Sequence, residues 1–281
     1  MAYNPYSLEG KLALVTGAGT GIGRGVALEL ARQGADVALH YAHNNQGALE
    51  AVEQIQAMGH RAHAIQADLR QVSECLRLVD EAADFLGGLD GLVSNAGLTA
   101  TIKFLDMTEE RFDRIFNLNI RGEYFCAQQA VRHMLKRGEE LHRLHPDNTW
   151  AGASIVNISS VHGAVGCANH SVYAGTKGAI NAFSRALAVE LCPQHIRVNV
   201  IAPGTIEVPS YFTLDPNYSR EETNKIVPWG RVGLPADVGY LAAYLLSDAS
   251  EFMTGHVLYF DGGLTAKMAI SIQIKEGERS S

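Results

Sequence analysis

The chain has 281 residues, 47% hydrophobic and 19% charged, with a formal net charge of -7 at pH 7. That balance suits one globular unit with a substantial core and excludes a disordered chain. The acidic excess disfavours nucleic acid or an anionic membrane as partner, and no apolar run approaches the about 18 residues of a membrane span. Met1–Gly10 lacks the apolar stretch of a signal peptide. The four cysteines, Cys75, Cys126, Cys167 and Cys192, read as small buried residues in a reducing compartment, so a cytoplasmic protein is expected. No cysteine is read as standing at metal-ligand spacing from a histidine, and no metal site is expected.

The first apolar run, Lys11–Val15, reads as a strand and leads into Thr16-Gly17-Ala18-Gly19-Thr20-Gly21-Ile22-Gly23 and a helical pattern near 22–33. Glycine lets a backbone turn tightly and approach a ligand without a Cβ in the way. A helix N-terminus offers free N–H groups and the positive end of a dipole, which suits a pyrophosphate. The spacing is Gly-x-x-x-Gly-x-Gly across Gly17, Gly21 and Gly23. The second strand, Asp36–Tyr41, ends in His40-Tyr41-Ala42-His43 and carries no carboxylate to hold a ribose 2′-hydroxyl. No Arg or Lys stands at that end to meet a 2′-phosphate. The reading favours NADP and leaves NAD open.

Further along, strands are expected at Arg61–Gln66, Leu89–Ser94, Ala153–Ile158, Arg197–Ile201 and Val257–Phe260. Helices are expected near 45–58, 71–86, 108–136, 171–191 and 235–247. Continuously apolar strands alternating with helices imply βαβ units with right-handed crossovers. The expected fold is therefore α/β, a single-domain Rossmann-like doubly wound parallel sheet of about seven strands over 1–281. Polar Arg137–Gly152, with Pro146, reads as a surface insertion; His142 and His145, with His133 before them, read as solvated rather than metal-binding. Residues 205–228 read as a substrate lid. The tail, 264–281, reads as coil or a short strand against a partner.

Tyr173 and Lys177 stand four apart on a helical pattern and share a face. A free phenol is ionised to only about one part in a thousand at neutral pH, and an ammonium beside a phenol favours its ionised form. Such a pair can take a proton from an alcohol or give one to a carbonyl. Ser159 and Ser160 follow an apolar strand, where catalytic groups of parallel sheets gather. Asn119 sits in a helical pattern that Asn does not favour.

In chain order the motifs are the glycine loop, Asp68, Ser94-Asn95-Ala96-Gly97, Asn119-x-x-Gly122, Ser160, Tyr173-x-x-x-Lys177, Pro203-Gly204 and Asp261-Gly262-Gly263. This set resembles the short-chain dehydrogenase/reductase family over about residues 8–265. The resemblance implies Tyr173 as general acid/base, Lys177 as its partner and ribose ligand, Ser160 as holder of the substrate oxygen, and Asn119 as anchor of a relay water. It implies cofactor contacts from Gly17, Thr20, Gly21, Ile22, Gly23, Asp68, Asn95, Tyr173, Lys177 and Ile206. Substrate would meet Ser160 and Tyr173. Ser160 rather than Ser159 matches the family's spacing to Tyr173. The resemblance also implies a homotetramer formed through long helices, with Ala174, Gly175, Gly178, Ala179 and Ala182 allowing close approach.

Two departures stand out. Ser94 replaces the usual Asn, and Val208 replaces a threonine whose hydrogen bond Thr205 could supply. Segments around Ser160 and after Pro203 are similar to those of aldose 1-dehydrogenases acting on glucose or rhamnose. A small-molecule aldose or polyol is thus the expected substrate, with Tyr211, Phe212, Tyr218 and Trp229 as stacking surfaces. A 3-oxoacyl thioester (acyl-carrier-protein) reductase and a catalytically silent dinucleotide-binding regulator are the alternatives.

Overall fold

The computed structural model describes residues 3–144 and 152–267. Seven strands form one parallel sheet: β1 (Leu12–Val15), β2 (Asp36–Tyr41), β3 (Ala62–Gln66), β4 (Gly91–Ser94), β5 (Ala153–Ile158), β6 (Ile196–Pro203) and β7 (Val257–Phe260). Their order is β3-β2-β1-β4-β5-β6-β7. The chain runs outward from β1 in one direction, then returns to place β4 on its other side. A crevice therefore opens at the carboxyl ends of β1 and β4, where doubly wound sheets bind their ligands.

The central strands β1, β4 and β5 are buried throughout because both faces are covered, whereas the edge strands β3 and β7 are partly exposed. Ala13, Val15, Val37, Leu39, Val93 and Val156 belong to one buried cluster, with Val26 and Leu30 of α1 (Gly21–Arg32) and Val238 and Leu245 of α9 (Pro235–Leu246). Leu12, Leu14, Ala38, Leu92 and Ile155 belong to the other. There they join Leu78 of α3 (Val72–Leu86), Met134 of α5 (Glu123–Leu144) and Ala188 of α6 (Ser171–Leu191). Alternate residues of one strand thus feed opposite cores, as a period of two requires. α2 (Asn45–Ala57) completes the first layer through Ala51 and Ile55.

Three expectations need correction. The helix expected near 108–136 is α4 (Glu109–Phe116), a π-helical turn at Asn117–Gly122, and then α5. The surface insertion is in part helix, because α5 continues through Arg137 to Leu144. Arg137 Nε donates to Asp90 at 2.6 Å, and buried Gly138 lets that turn lie against the body. Residues 145–151 lie outside the described residues, and with them His145; His133 faces Asp80 at 2.7 Å instead of converging with His142. The lid holds two short helices, α7 (Pro209–Leu214) and α8 (Arg220–Ile226), where no element was expected. Of the expected tail, 268–281 lies outside the described residues.

Candidate active site

A cleft of about 1180 Å³ runs along the carboxyl edge of the sheet and is lined by both the glycine loop and the Tyr173 region. Gly17 and Gly21 adopt φ of +66° and +55°, left-handed values that glycine takes without strain. At Gly23 an added Cβ would collide with the Gly17 carbonyl and come to 2.5 Å from Asn95 Nδ2. The loop can therefore close over the start of α1 only with glycine there, which leaves a cradle of backbone N–H groups facing the cleft. Thr20 and Ile22 line that cradle. Asn95 braces it from behind, donating from Nδ2 to the Thr16 carbonyl at 3.0 Å and the Gly17 carbonyl at 3.2 Å. Thr16 Oγ1 accepts from the N–H groups of Asn95 and Ala96, each at 2.9 Å.

His40 is a supporting residue that sequence reasoning missed. The Gly17 N–H donates to His40 Nδ1 at 3.0 Å, so Nε2 carries the proton that meets the Ala67 carbonyl at 3.0 Å. Burial holds this imidazole neutral, with its pKa down to about 4. The available signal was a histidine inside an apolar strand beside the glycine loop. Asn44 adds a second clasp, donating to the Gly19 carbonyl at 3.0 Å while accepting from Gly47 N–H at the start of α2.

At the far end of the cleft stand Tyr41, His43, Asp68 and two arginines, Arg70 and Arg77. The expectation that no cation stands near this end is corrected: both guanidiniums arrive after β3, not after β2. Arg70 Nη2 pairs with Asp68 at 2.7 Å and holds its carboxyl well below the usual carboxylate range. Arg77 pairs with Glu74 and Glu81 and donates to the Gln66 carbonyl.

The proton-handling residues meet at the centre. Lys177 is only 5% exposed, and its Nζ donates to the Ile158 carbonyl at 2.7 Å, at the end of β5. The same Nζ lies 5.7 Å from the centroid of the Tyr173 ring. Ser160 follows β5, and its Oγ accepts from the His162 N–H at 3.2 Å. Both serines line the cleft, but the Ser159 hydroxyl is spent as a donor to the Lys177 carbonyl at 3.0 Å.

Asn119 is 0% exposed within the π-helical turn. Its side chain clips the Leu98 peptide, Nδ2 donating to the carbonyl at 2.9 Å and Oδ1 accepting from the N–H at 2.9 Å. Nδ2 also donates to Thr176 Oγ1 at 3.1 Å, one residue before Lys177. The helix widens here because the extra residue in the turn puts Asn119 in register with both partners, a common device at functional sites. One turn on, Glu123 is buried with Oε1 unpartnered; burial pushes its pKa up to about 8, partly offset by the Lys177 ammonium.

The lid gives fewer of its aromatic residues than expected. Tyr211 lines the cleft. Phe212 is 56% exposed and Trp229 75% exposed, and Trp229 lines a separate cavity of about 190 Å³. Tyr218 does not line the cleft but donates to Glu207 Oε2 at 2.8 Å, while Arg220 pairs with the same carboxylate. Ile206 is buried and lines the cleft floor with Thr205 and Val208. Beside Tyr173 lie two rings not singled out before: His162, with centroids 5.7 Å apart, and His170, at 6.4 Å. Burial and the neighbouring His170 hold His162 below the ordinary imidazole range. The expectation of four buried cysteines is corrected: Cys75 and Cys126 are buried, but Cys167 and Cys192 are exposed, and Cys167 lies with these two histidines, the three ligand atoms within 4.8 Å of one another.

Comparison with known proteins finds relatives among reductases and dehydrogenases. A family model described as enoyl-(acyl carrier protein) reductase matches residues 17–265. Versicolorin reductase 1 of Dothistroma septosporum is 36% identical over 274 residues, covering 94% of this chain and 99% of that one. The hydroxynaphthalene reductase-like protein Arp2 of Metarhizium anisopliae is 40% identical over 272 residues, covering 92% and 96%. Among solved structures, a short chain dehydrogenase of Burkholderia cenocepacia in complex with NADP superposes with a TM-score of 0.80 at 32% identity, covering 92% and 99%.

Proposed function

This chain belongs to the short-chain dehydrogenase/reductase family, and on that premise we propose that it interconverts a ring ketone and its alcohol with NADP. One observation carries the reading: the buried Lys177, the Tyr173 ring and Ser160 open on the same cleft as the glycine cradle. Gly17, Thr20, Gly21, Ile22 and Gly23 would hold the pyrophosphate of a dinucleotide, Asp68 its adenine, and Asn95, Lys177 and Ile206 its nicotinamide half. The bound nicotinamide supplies or accepts the hydride.

The chain's own residues manage the proton. Tyr173 gives its phenolic proton to the substrate oxygen in reduction and takes it back in oxidation. Ser160 Oγ donates to that oxygen and fixes it in line with Tyr173. The Ile158 carbonyl holds the Lys177 ammonium in place beside the Tyr173 ring. Asn119 spends its side chain on Leu98 and Thr176, so it positions the turn before Lys177 rather than holding a relay water with its amide. A catalytically silent regulator would have no use for this constellation.

NADP is favoured because no carboxylate ends β2, while Asp68, the nearest acid, is neutralised by Arg70. A flat hydroxylated ring is supported by the rings around Tyr173, those of His162, His170 and Tyr211, and by the likeness to a hydroxynaphthalene reductase-like protein. An aldose or polyol is the second reading, supported by the segments around Ser160 and after Pro203. A thioester on an acidic carrier protein fits less well with a net charge of -7. We read the enzyme as a cytoplasmic homotetramer, since Tyr124 of α5 and Val189 of α6 are 42% and 78% exposed and suit packing of copies. Absorbance at 340 nm should report oxidation of NADPH with hydroxylated bicyclic ketones, faster than with aldoses or with NADH. Turnover confined to aldoses would overturn the ring assignment, and equal affinity for NAD and NADP would overturn the cofactor preference.

A further inference from the structure

We propose that His162, Cys167 and His170 form a binding site for a zinc-type divalent cation at the mouth of the catalytic cleft. Two imidazoles and a thiol are the donor set that such a borderline-soft ion prefers. Their ligand atoms already lie within 4.8 Å of one another. Local backbone brings them together. The His170 N–H donates to the Cys167 carbonyl at 3.3 Å, and Asn169 between them takes a left-handed φ of +64°. The turn folds Cys167 back over His170, whose ring stands 5.0 Å from that of His162 at 89°.

Ordinary zinc bond lengths place neighbouring ligand atoms about 3.3–3.6 Å apart in a tetrahedron, so closure of about 1 Å is needed. Cys167 is exposed, and rotation about its Cα–Cβ bond supplies that movement.

The protonation pattern suits ligation. His170 Nδ1 lies 2.8 Å from the Ala168 carbonyl and must be the protonated nitrogen, so Nε2 carries a lone pair, which now accepts from Thr101 Oγ1 at 3.2 Å and which a cation would take in place of that exposed hydroxyl. A backbone carbonyl on the far nitrogen is the usual way proteins orient a ligating imidazole. His162 Nδ1 is shielded from solvent and has no hydrogen-bond partner among the described residues. On binding, the Cys167 thiol releases its proton to solvent and the sulfur lone pair forms the metal bond; no electron is transferred. Three protein ligands leave a fourth position for water or another ligand. Both histidines line the cleft that holds Tyr173, so a cation here competes with substrate.

The test uses full-length protein stripped with chelator and titrated with Co2+, then with Zn2+. One equivalent of Co2+ should give a thiolate-to-cobalt charge-transfer band, and Zn2+ should displace it. Cys167→Ser should lose the band, while Cys192→Ser, at the other exposed cysteine, should keep it. Zn2+ should raise the apparent KM of the unaltered enzyme, and this inhibition should weaken in Cys167→Ser by more than the roughly 10–100-fold that loss of an outer hydrogen-bond partner costs a metal site. Absence of the band, or binding and inhibition unchanged in Cys167→Ser, would overturn the site. Turnover unaffected by the bound metal would overturn its placement at the mouth.

Discussion

Around the glycine loop, backbone groups are clasped by side chains from β2 and from the turns after β1, β2 and β4: His40 on Gly17, Asn44 on Gly19, and Thr16 with Asn95 across the β1–β4 crevice. Across the cleft, the lid, residues 205–228, is tied by the buried Glu207 carboxylate and by Asn224, whose Oδ1 accepts from the Val232 N–H at 2.8 Å. Glu207 gathers Tyr218 and Arg220, and the short helices α7 and α8 leave Phe212 and Ile226 exposed. The first region is over-determined and has little freedom to move without breaking several hydrogen bonds. The second rests on two short helices tied at Glu207 and Asn224, as expected of a segment that admits substrates. Chemistry is built on the rigid side, and choice of substrate on the loose one.

Substitutions can test that division. Lys177→Ala should have the largest effect, since it removes both the ammonium beside Tyr173 and a cofactor contact. Turnover should fall by roughly 10²–10⁴-fold, the range for a proton-transfer group, and fluorescence titration should show weaker NADPH binding. Gly23→Ala comes next. A Cβ pressed against the Gly17 carbonyl and Asn95 costs about 1–3 kcal/mol, or roughly 10–100-fold in cofactor affinity. Its substrate KM, measured at saturating NADPH, should be near normal. Tyr211→Ala should do the reverse, raising substrate KM by about tenfold, the cost of one good contact, with cofactor affinity unchanged. If Tyr211→Ala instead weakened NADPH, the two halves would not be separable.

Glu123→Gln should have the smallest effect on activity and a distinct effect on stability. The folded carboxyl titrates at about 8, above its unfolded value, so between those values the folded state holds more protons than the unfolded state. Stability should therefore fall as pH rises from about 5 to about 8. Glu123→Gln should flatten that slope in thermal melts; an unchanged slope would mean that Glu123 is not the group responsible.

The rigid side was also the legible one. Buried parallel strands announce themselves as unbroken apolar runs, and the long amphipathic helix from Ser171 to Leu191 has a clear period. Glycines with positive φ are visible as glycines, and Ser160, Tyr173 and Lys177 line one cleft, with Asn119 buried behind it. The π-helical turn was not legible, because one extra residue in a turn leaves the surrounding helical pattern intact. Helix α5 ran past Arg137 because a pairing with Asp90, 47 residues earlier, holds a polar stretch that looks like loop. The lid helices are six and seven residues long, too short for periodicity to register. Of the lid aromatics, only the direction of each side chain separates Tyr211 from Phe212, and sequence does not carry that. Cys167 and His170 meet through a left-handed Asn, a turn choice that spacing alone does not reveal.

Tyr173→Phe isolates the proton step from everything else in the cleft. It keeps the ring that packs beside His162 and Lys177 and removes only the hydroxyl. Turnover with NADPH should fall by roughly 10²–10⁴-fold, while NADPH affinity measured by fluorescence on the same preparation stays close to that of the unaltered enzyme. Near-normal turnover in that variant would contradict Tyr173 as the proton donor and would return the chemistry to another residue of the cleft.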